Sequence, residues 1–166
     1  MRISALLAAS LATLGFVQIA GADATANLNV SATVASSCTI TGGTLAFGTY
    51  NTVSGAAVDS TAALHVACTS GTETTVMLGQ GANAAGGSTT SAPARQMSDG
   101  TGNLLGYALF SDSARSTVWG DTTLTGNPYT ALTSGSATQT VYGRVIANQD
   151  VPAGAYTDTV LATIAF

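Results

Sequence analysis

The chain has 166 residues, a formal net charge of −4 and only 7% charged residues, against roughly 25% in an average soluble protein. It has no lysine, and its cationic side chains are Arg2, Arg95, Arg115 and Arg144. Nucleic-acid binding is excluded, because it needs a cationic surface to displace counterions from phosphates. Charge-driven disorder is excluded too, since 46% of the residues are hydrophobic.

Residues 1–24 read as a secretory signal peptide. Arg2 supplies the positive start, Ile3 to Ile19 form an uncharged Leu/Ala-rich run, and Ala20-Gly21-Ala22 and Ala22-Asp23-Ala24 fit small-x-small cleavage sites. An uncleaved membrane anchor is the weaker reading: Ala, Ser and Thr dilute the run and no basic stop-transfer segment follows. The protein is therefore expected to be exported. The remainder is rich in Gly, Ala, Thr, Ser and Val and poor in Lys, Glu and Gln. That composition predicts short strands joined by turns, an all-β sandwich.

The clearest alternation follows directly. Leu28, Val30, Ala32 and Val34 share one face, and Asn29, Ser31 and Thr33 the other. A period of two predicts a strand with one dry side. Weaker strand candidates are 38–40, 45–50, 62–68, 74–78, 104–111 and 138–146. The stretch 79–94 reads as a flexible low-complexity loop, 98–103 as a turn, and 120–136 as a turn-rich connection. The chain ends on a second clear strand, 156–166, with Val160, Ala162, Ile164 and Phe166 on one face. Its last residue places a carboxylate at the end of that strand.

Chemical motifs are few. In an exported protein, the pair Cys38 and Cys68 predicts one disulfide; two free thiols or half a metal site are the alternatives. Gly79-Gln80-Gly81-Ala82-Asn83-Ala84 fits a dinucleotide fingerprint only on its surface, because Gly86-Gly87-Ser88 follows where a helix should run. Asp99-Gly100-Thr101-Gly102-Asn103 lacks the spaced carboxylates and closing Glu of a calcium loop. The single histidine, His65, lies between Leu64 and Val66 and so points away from their face. No Gly-x-Ser-x-Gly elbow accompanies it. Catalysis is not expected, and neither is a cofactor or metal. Tyr107, Phe110, Trp119, Tyr129 and Tyr142 could line a sugar-binding face, but such aromatics more often pack a core.

Several segments in order carry a resemblance. They are Val30-Ser31-Ala32-Thr33-Val34, Ser37-Cys38-Thr39-Ile40, Leu45-Ala46-Phe47-Gly48-Thr49-Tyr50 and Arg95-Gln96-Met97. Leu105-Gly106-Tyr107-Ala108-Leu109-Phe110-Ser111-Asp112, Val141-Tyr142-Gly143-Arg144-Val145 and Pro152-Ala153-Gly154-Ala155-Tyr156-Thr157-Asp158-Thr159-Val160 complete the set. Together they resemble the spore coat protein U domain family, which includes the Csu-type subunits of archaic chaperone–usher pili.

The resemblance implies an incomplete immunoglobulin-like β-sandwich of the pilin type, missing its last strand and preceded by an N-terminal donor strand. The expected organisation is a signal peptide over 1–24, a donor strand over 25–36 and a pilin domain over 37–166. Leu28, Val30, Ala32 and Val34 are the expected donor residues, with Ala32 at a shallow position. Val160, Ile164 and Phe166 are expected to line the acceptor groove, and a basic chaperone residue to hold the Phe166 carboxylate. Implied partners are identical subunits, a periplasmic chaperone and an outer-membrane usher, in a surface pilus serving attachment and biofilm formation. With one mature domain, a shaft subunit is expected rather than a tip adhesin. Two other readings stay open. A monomeric carbohydrate-binding or adhesive module would pair residues 28–34 inside a closed sandwich, and an exported coat protein would assemble without an usher.

Overall fold

The computed structural model describes residues 21–166, so the leader run over 1–20 lies outside the described residues. Residues 21–33 form a unit of their own and carry no helix or strand. Leu28 and Val30 are 87% and 85% exposed. The strand expected over Leu28–Val34 is thus not formed as a strand. The alternation exists in the chain, but a strand is made by its ladder, and this segment has no ladder among the described residues.

Residues 34–166 form the second unit. It is all β, with eight strands among the described residues: β1 Cys38–Thr41, β2 Val58–Cys68, β3 Glu73–Leu78, β4 Arg95–Ser98, β5 Leu104–Phe110, β6 Asn127–Thr130, β7 Ala137–Val145 and β8 Ala162–Ala165. All pairings are antiparallel, in a five-stranded sheet of order β1-β2-β7-β5-β4 and a three-stranded sheet of order β6-β3-β8.

Period-two patterning decides which side chains meet between the sheets. From the larger sheet come Leu64, Val66 and Cys68 of β2, Leu105, Tyr107 and Leu109 of β5, and Val141 and Val145 of β7. From the smaller sheet come Thr74, Val76 and Leu78 of β3. Ala162 and Ile164 of β8 pack on the same core. Each fully buried Val or Leu contributes about 1.5–3 kcal/mol. The single tryptophan, Trp119, is wholly buried, and its indole N–H donates to the Val76 carbonyl at 2.7 Å. Of the aromatics weighed for a sugar face, Trp119 and Tyr107 are core, and Tyr129 packs against the core.

Cys38 and Cys68 are joined in a disulfide that ties β1 to the end of β2, where they are direct cross-strand partners. His65 is exposed, as its place between inward Leu64 and Val66 required, and its Nδ1 lies 3.3 Å from Thr138 Oγ1.

Further expectations need correction. The strand over 45–50 does not form. Beyond Thr41 the chain leaves the ladder at Gly43, where a Cβ would lie 2.5 Å from the Ala63 carbonyl oxygen. Leu45 and Phe47 then cover the inner face of β7 at Gly143, whose missing Cβ would come within 2.9 Å of either side chain. The terminal strand is shorter than 156–166, because only Ala162–Ala165 pair with β3. Finally, the connection 120–136 contains β6, and β4 lies where no strand was expected.

Candidate groove beside the last strand

The smaller sheet ends at β8, which is hydrogen-bonded to β3 alone, with β1 of the larger sheet approaching it without a ladder. The Gly79 amide donates to the Leu161 carbonyl at 2.8 Å, which fixes the phase of the ladder. In an antiparallel pair, hydrogen-bonded residues alternate. Leu161, Thr163 and Ala165 therefore address β3, while Ala162 and Ile164 direct their backbone amides and carbonyls to the open edge.

Beside the chain that leads into β8, residues 151–160, the two sheets are not fully closed. A cavity of about 320 Å³ is lined by Leu45, Phe47, Leu64, Leu109, Val141 and Val160, among others. A second, of about 650 Å³, lies between residues 45–52 and 151–156. The two share Leu45, Phe47, Met97 and Tyr156, so they form one cleft. Its walls are stretches that carry no regular strand, 45–52 on one side and 151–160 on the other. Its floor is the apolar inner face of β2, β5 and β7. Phe47 stands edge-on to Tyr107, with ring centroids 6.0 Å apart.

The expected site residues fall as follows. Val160 lines the cavity. Ile164 is half-buried, packs on the core and pairs with Val76. Phe166, just beyond β8, is 62% exposed. Leu28, Val30, Ala32 and Val34 are all exposed.

Polar groups beside the cleft escaped the sequence reading. Asp158 is half-buried and lines the smaller cavity with Tyr107. The Tyr107 hydroxyl donates to Asp158 Oδ2 at 2.6 Å, and the Ala82 amide to Oδ1 at 2.8 Å. Burial, and then the bond to Asp158, pushes the Tyr107 hydroxyl far above the usual phenol range. Nearby, Arg95 of β4 is buried at 1% exposure. It donates to the carbonyls of Gly79 at 2.8 Å, Leu78 at 2.6 Å and Trp119 at 2.8 Å. Burial pulls its guanidinium down to about 10, against the attraction of Tyr107, Asp121 and Asp158. Tyr107 and Asp158 are 51 residues apart and Arg95 and Leu78 are 17 apart, so spacing gave no signal of either link. The only hint was a charged residue inside an apolar chain.

On the outer face of the larger sheet, Arg144 holds Asp59 through two hydrogen bonds of 2.7 and 2.8 Å. Arg115 joins the same carboxylate at 3.3 Å. Among the described residues, no group of three or more His, Cys, Asp or Glu is placed to hold a metal ion. Nothing in the cleft resembles a nucleophile activated by a base: His65 contacts Thr138, outside it.

Comparison with known proteins agrees with this architecture. The chain is 41% identical over 172 residues to Protein U of Myxococcus xanthus, covering 98% of this chain and 96% of that protein. Its fold is similar to a chain in the crystal structure of the CsuC–CsuE chaperone–tip adhesion subunit pre-assembly complex, from the archaic chaperone–usher Csu pili of Acinetobacter baumannii. That match has a TM-score of 0.57 and 24% identity, and covers 81% of this chain. The present chain spans 40% of that neighbour's length. The fold is an immunoglobulin-like β-sandwich of the pilin type. The profile of the Spore Coat Protein U domain family matches residues 24–163, and the chain is a member of that family.

Proposed function

We propose that this protein is a structural subunit of a chaperone–usher pilus, a shaft component that polymerises by donor-strand exchange. One observation carries the reading: β8 pairs on one side only, and the chain leading into it, 156–160, lines an apolar cleft. A strand laid along that edge would gain main-chain hydrogen bonds from Ala162 and Ile164 and lower alternate side chains into the cleft. Residues 28–34 are a suitable donor, since a single strand with a bare apolar face needs a sheet to join. Seven extended residues reach about 23 Å, so the donor would run along β8 and on beside residues 156–161, which carry no regular strand. Leu28, Val30 and Val34 would each contribute about 1.5–3 kcal/mol on burial, with Ala32 at a shallow position.

In this reading the N-terminal segment of one subunit fills the groove of the next. A periplasmic chaperone occupies the groove beforehand, and an outer-membrane usher exchanges one for the other. Val160, Ile164 and Phe166 belong to the acceptor side. The product is a non-catalytic homopolymer at the cell surface, used for attachment and biofilm formation. Low charge suits it, because like charges would recur at every junction.

The test is gel mobility of the exported protein with and without boiling in detergent. The expected result is a ladder in the unheated sample, a single monomer band after boiling, and loss of the ladder in Val30→Asp. That variant would bury a carboxylate with no partner, at a cost of several kcal/mol. A soluble, folded monomer before heating refutes strand exchange and points to the monomeric binding-module reading. A second reading follows the description of the family, Spore Coat Protein U domain: an exported coat protein. It is distinguished by assembly that proceeds without a periplasmic chaperone.

A further inference from the structure

The groove wall formed by residues 151–160 has little backbone support. Among the described residues, Thr157 exchanges two hydrogen bonds with Ser98, both 2.9 Å, and the next tie is the Gly79–Leu161 bond of 2.8 Å. Between them stands Asp158. One carboxylate oxygen takes the hydroxyl of Tyr107, which is 5% exposed on β5. The other takes the Ala82 amide at 2.8 Å and the Asn83 side-chain amide at 3.3 Å. Gly81 has a φ of +84°, and a Cβ there would overlap the Asp158 carboxylate. The 81–83 turn is therefore shaped around this one side chain. Arg95, buried and with one terminal nitrogen lacking a hydrogen-bond partner, attracts the same carboxylate.

We propose that Asp158 is a positioning residue for strand capture: by fastening the 151–160 wall to Tyr107 and to the 81–83 turn, it holds the groove open in the empty subunit. The inference rests on the donor-strand reading above. Among the described residues, Asp158 makes the one side-chain hydrogen bond from the wall to β5, while Val151, Tyr156 and Val160 make only apolar contact with the core. Without the fastening, the wall is free to settle onto the apolar floor, and the fraction of subunits ready for a strand falls. Apparent affinity and capture rate fall with that fraction. Asp158 touches no donor side chain in this account, so its effect is on readiness and not on the contacts made after capture.

The experiment uses the full chain carrying Val30→Asp, to suppress self-assembly, and a fluorescein-labelled peptide of residues 25–36 as the probe. Association and dissociation rates are measured for this parent and for added Tyr107→Phe, Asp158→Ala or Asp158→Asn, alongside the unfolding temperature of each before peptide is added. Tyr107→Phe deletes a single oxygen and guards against misfolding of Asp158→Ala. The expected result is an association rate lower by about tenfold in Tyr107→Phe and Asp158→Ala, with dissociation within about twofold of the parent. Asp158→Asn keeps an acceptor for Ala82 and restores part of the rate. Association rates within about twofold of the parent in all variants overturn the proposal, whatever the unfolding temperatures do, because Asp158 is then only a structural residue. Absence of capture by the parent overturns the donor-strand reading itself, and this inference with it.

Discussion

Replacing Arg95 with Met is the sharpest test of how the two sheets are joined. The guanidinium belongs to β4 of the larger sheet and bonds the carbonyls of Leu78 and Gly79, at the end of β3 in the smaller one, together with that of Trp119. Methionine keeps the length and apolar volume of the stem but donates nothing, so three carbonyls lose this donor. An unsatisfied buried acceptor costs about 1–3 kcal/mol. Against that, the charge no longer has to be desolvated, the penalty that pulls Arg95 down to about 10. Three such acceptors, less the relieved desolvation, leave a net loss of about 3 kcal/mol. For a domain of this size, at roughly 3–4 °C per kcal/mol, unfolding should move down by ~10 °C or more. Trp119 fluorescence reports it directly, because the single tryptophan is wholly buried and its own carbonyl is one of the three. Arg95→Lys keeps the charge but not the planar fork, and should recover only a minor part. A Met variant within about 1 kcal/mol of wild type in urea denaturation would refute the reasoning, since the carbonyls would then be served by other donors.

The other predictions concern the disulfide and acid. Cys38→Ser with Cys68→Ser opens a loop of 30 residues, and the chain-entropy relation gives a loss of about 3–4 kcal/mol, read as a lower urea midpoint. Unfolding temperature should also fall between pH 6 and pH 3. Asp59 is held below the usual aspartate value of 3.8 by its bond to Arg144, Asp99 by the Asn103 side chain and Asp112 by the Thr117 amide. Carboxyls depressed in the folded state add stability above 3.8 and lose it as pH drops through their folded values. An unfolding temperature that is flat over this range would contradict all three contacts.

β2 was legible because it has one wet and one dry face. In β2, Leu64 and Val66 flank His65, and that alternation alone gives both the strand and the outward histidine. β4 and β6 were not legible for opposite reasons. In β4 the buried side chain at Arg95 is charged, so burial reads as exposure. In β6, four residues contain Pro128, a residue that strands admit mainly at an edge, and β6 is an edge. The stretch 45–50 misled because Leu45 and Phe47 alternate as in a strand, yet they fill the space over Gly143 and pair with nothing. Of the cleft lining, the terminal alternation placed Val160 on the inward face, while Ile164 and Phe166 line neither cavity. The opposite wall, 45–52, and the Asp158–Tyr107 link depend on how distant segments meet, and no local period encodes that.

The four sheet edges argue for the use of one of them. An unpaired edge templates aggregation, and proteins blunt it with proline, charge, shortness or a covering segment. The edge at β6 contains Pro128. The edge at β4 is capped by Thr157, which bridges to Ser98. At β1 the strand has four residues, two of them exposed threonines, and Cys38 is bonded to Cys68. The edge at β8 reads Ala162-Thr163-Ile164-Ala165, with no charge and no proline, and the chain leading into it borders a cleft with an apolar floor. Left bare, it is the weakest point of the molecule in water. Three edges are guarded and the fourth is apolar, which is the pattern the proposed strand addition requires: an edge that another strand can cover.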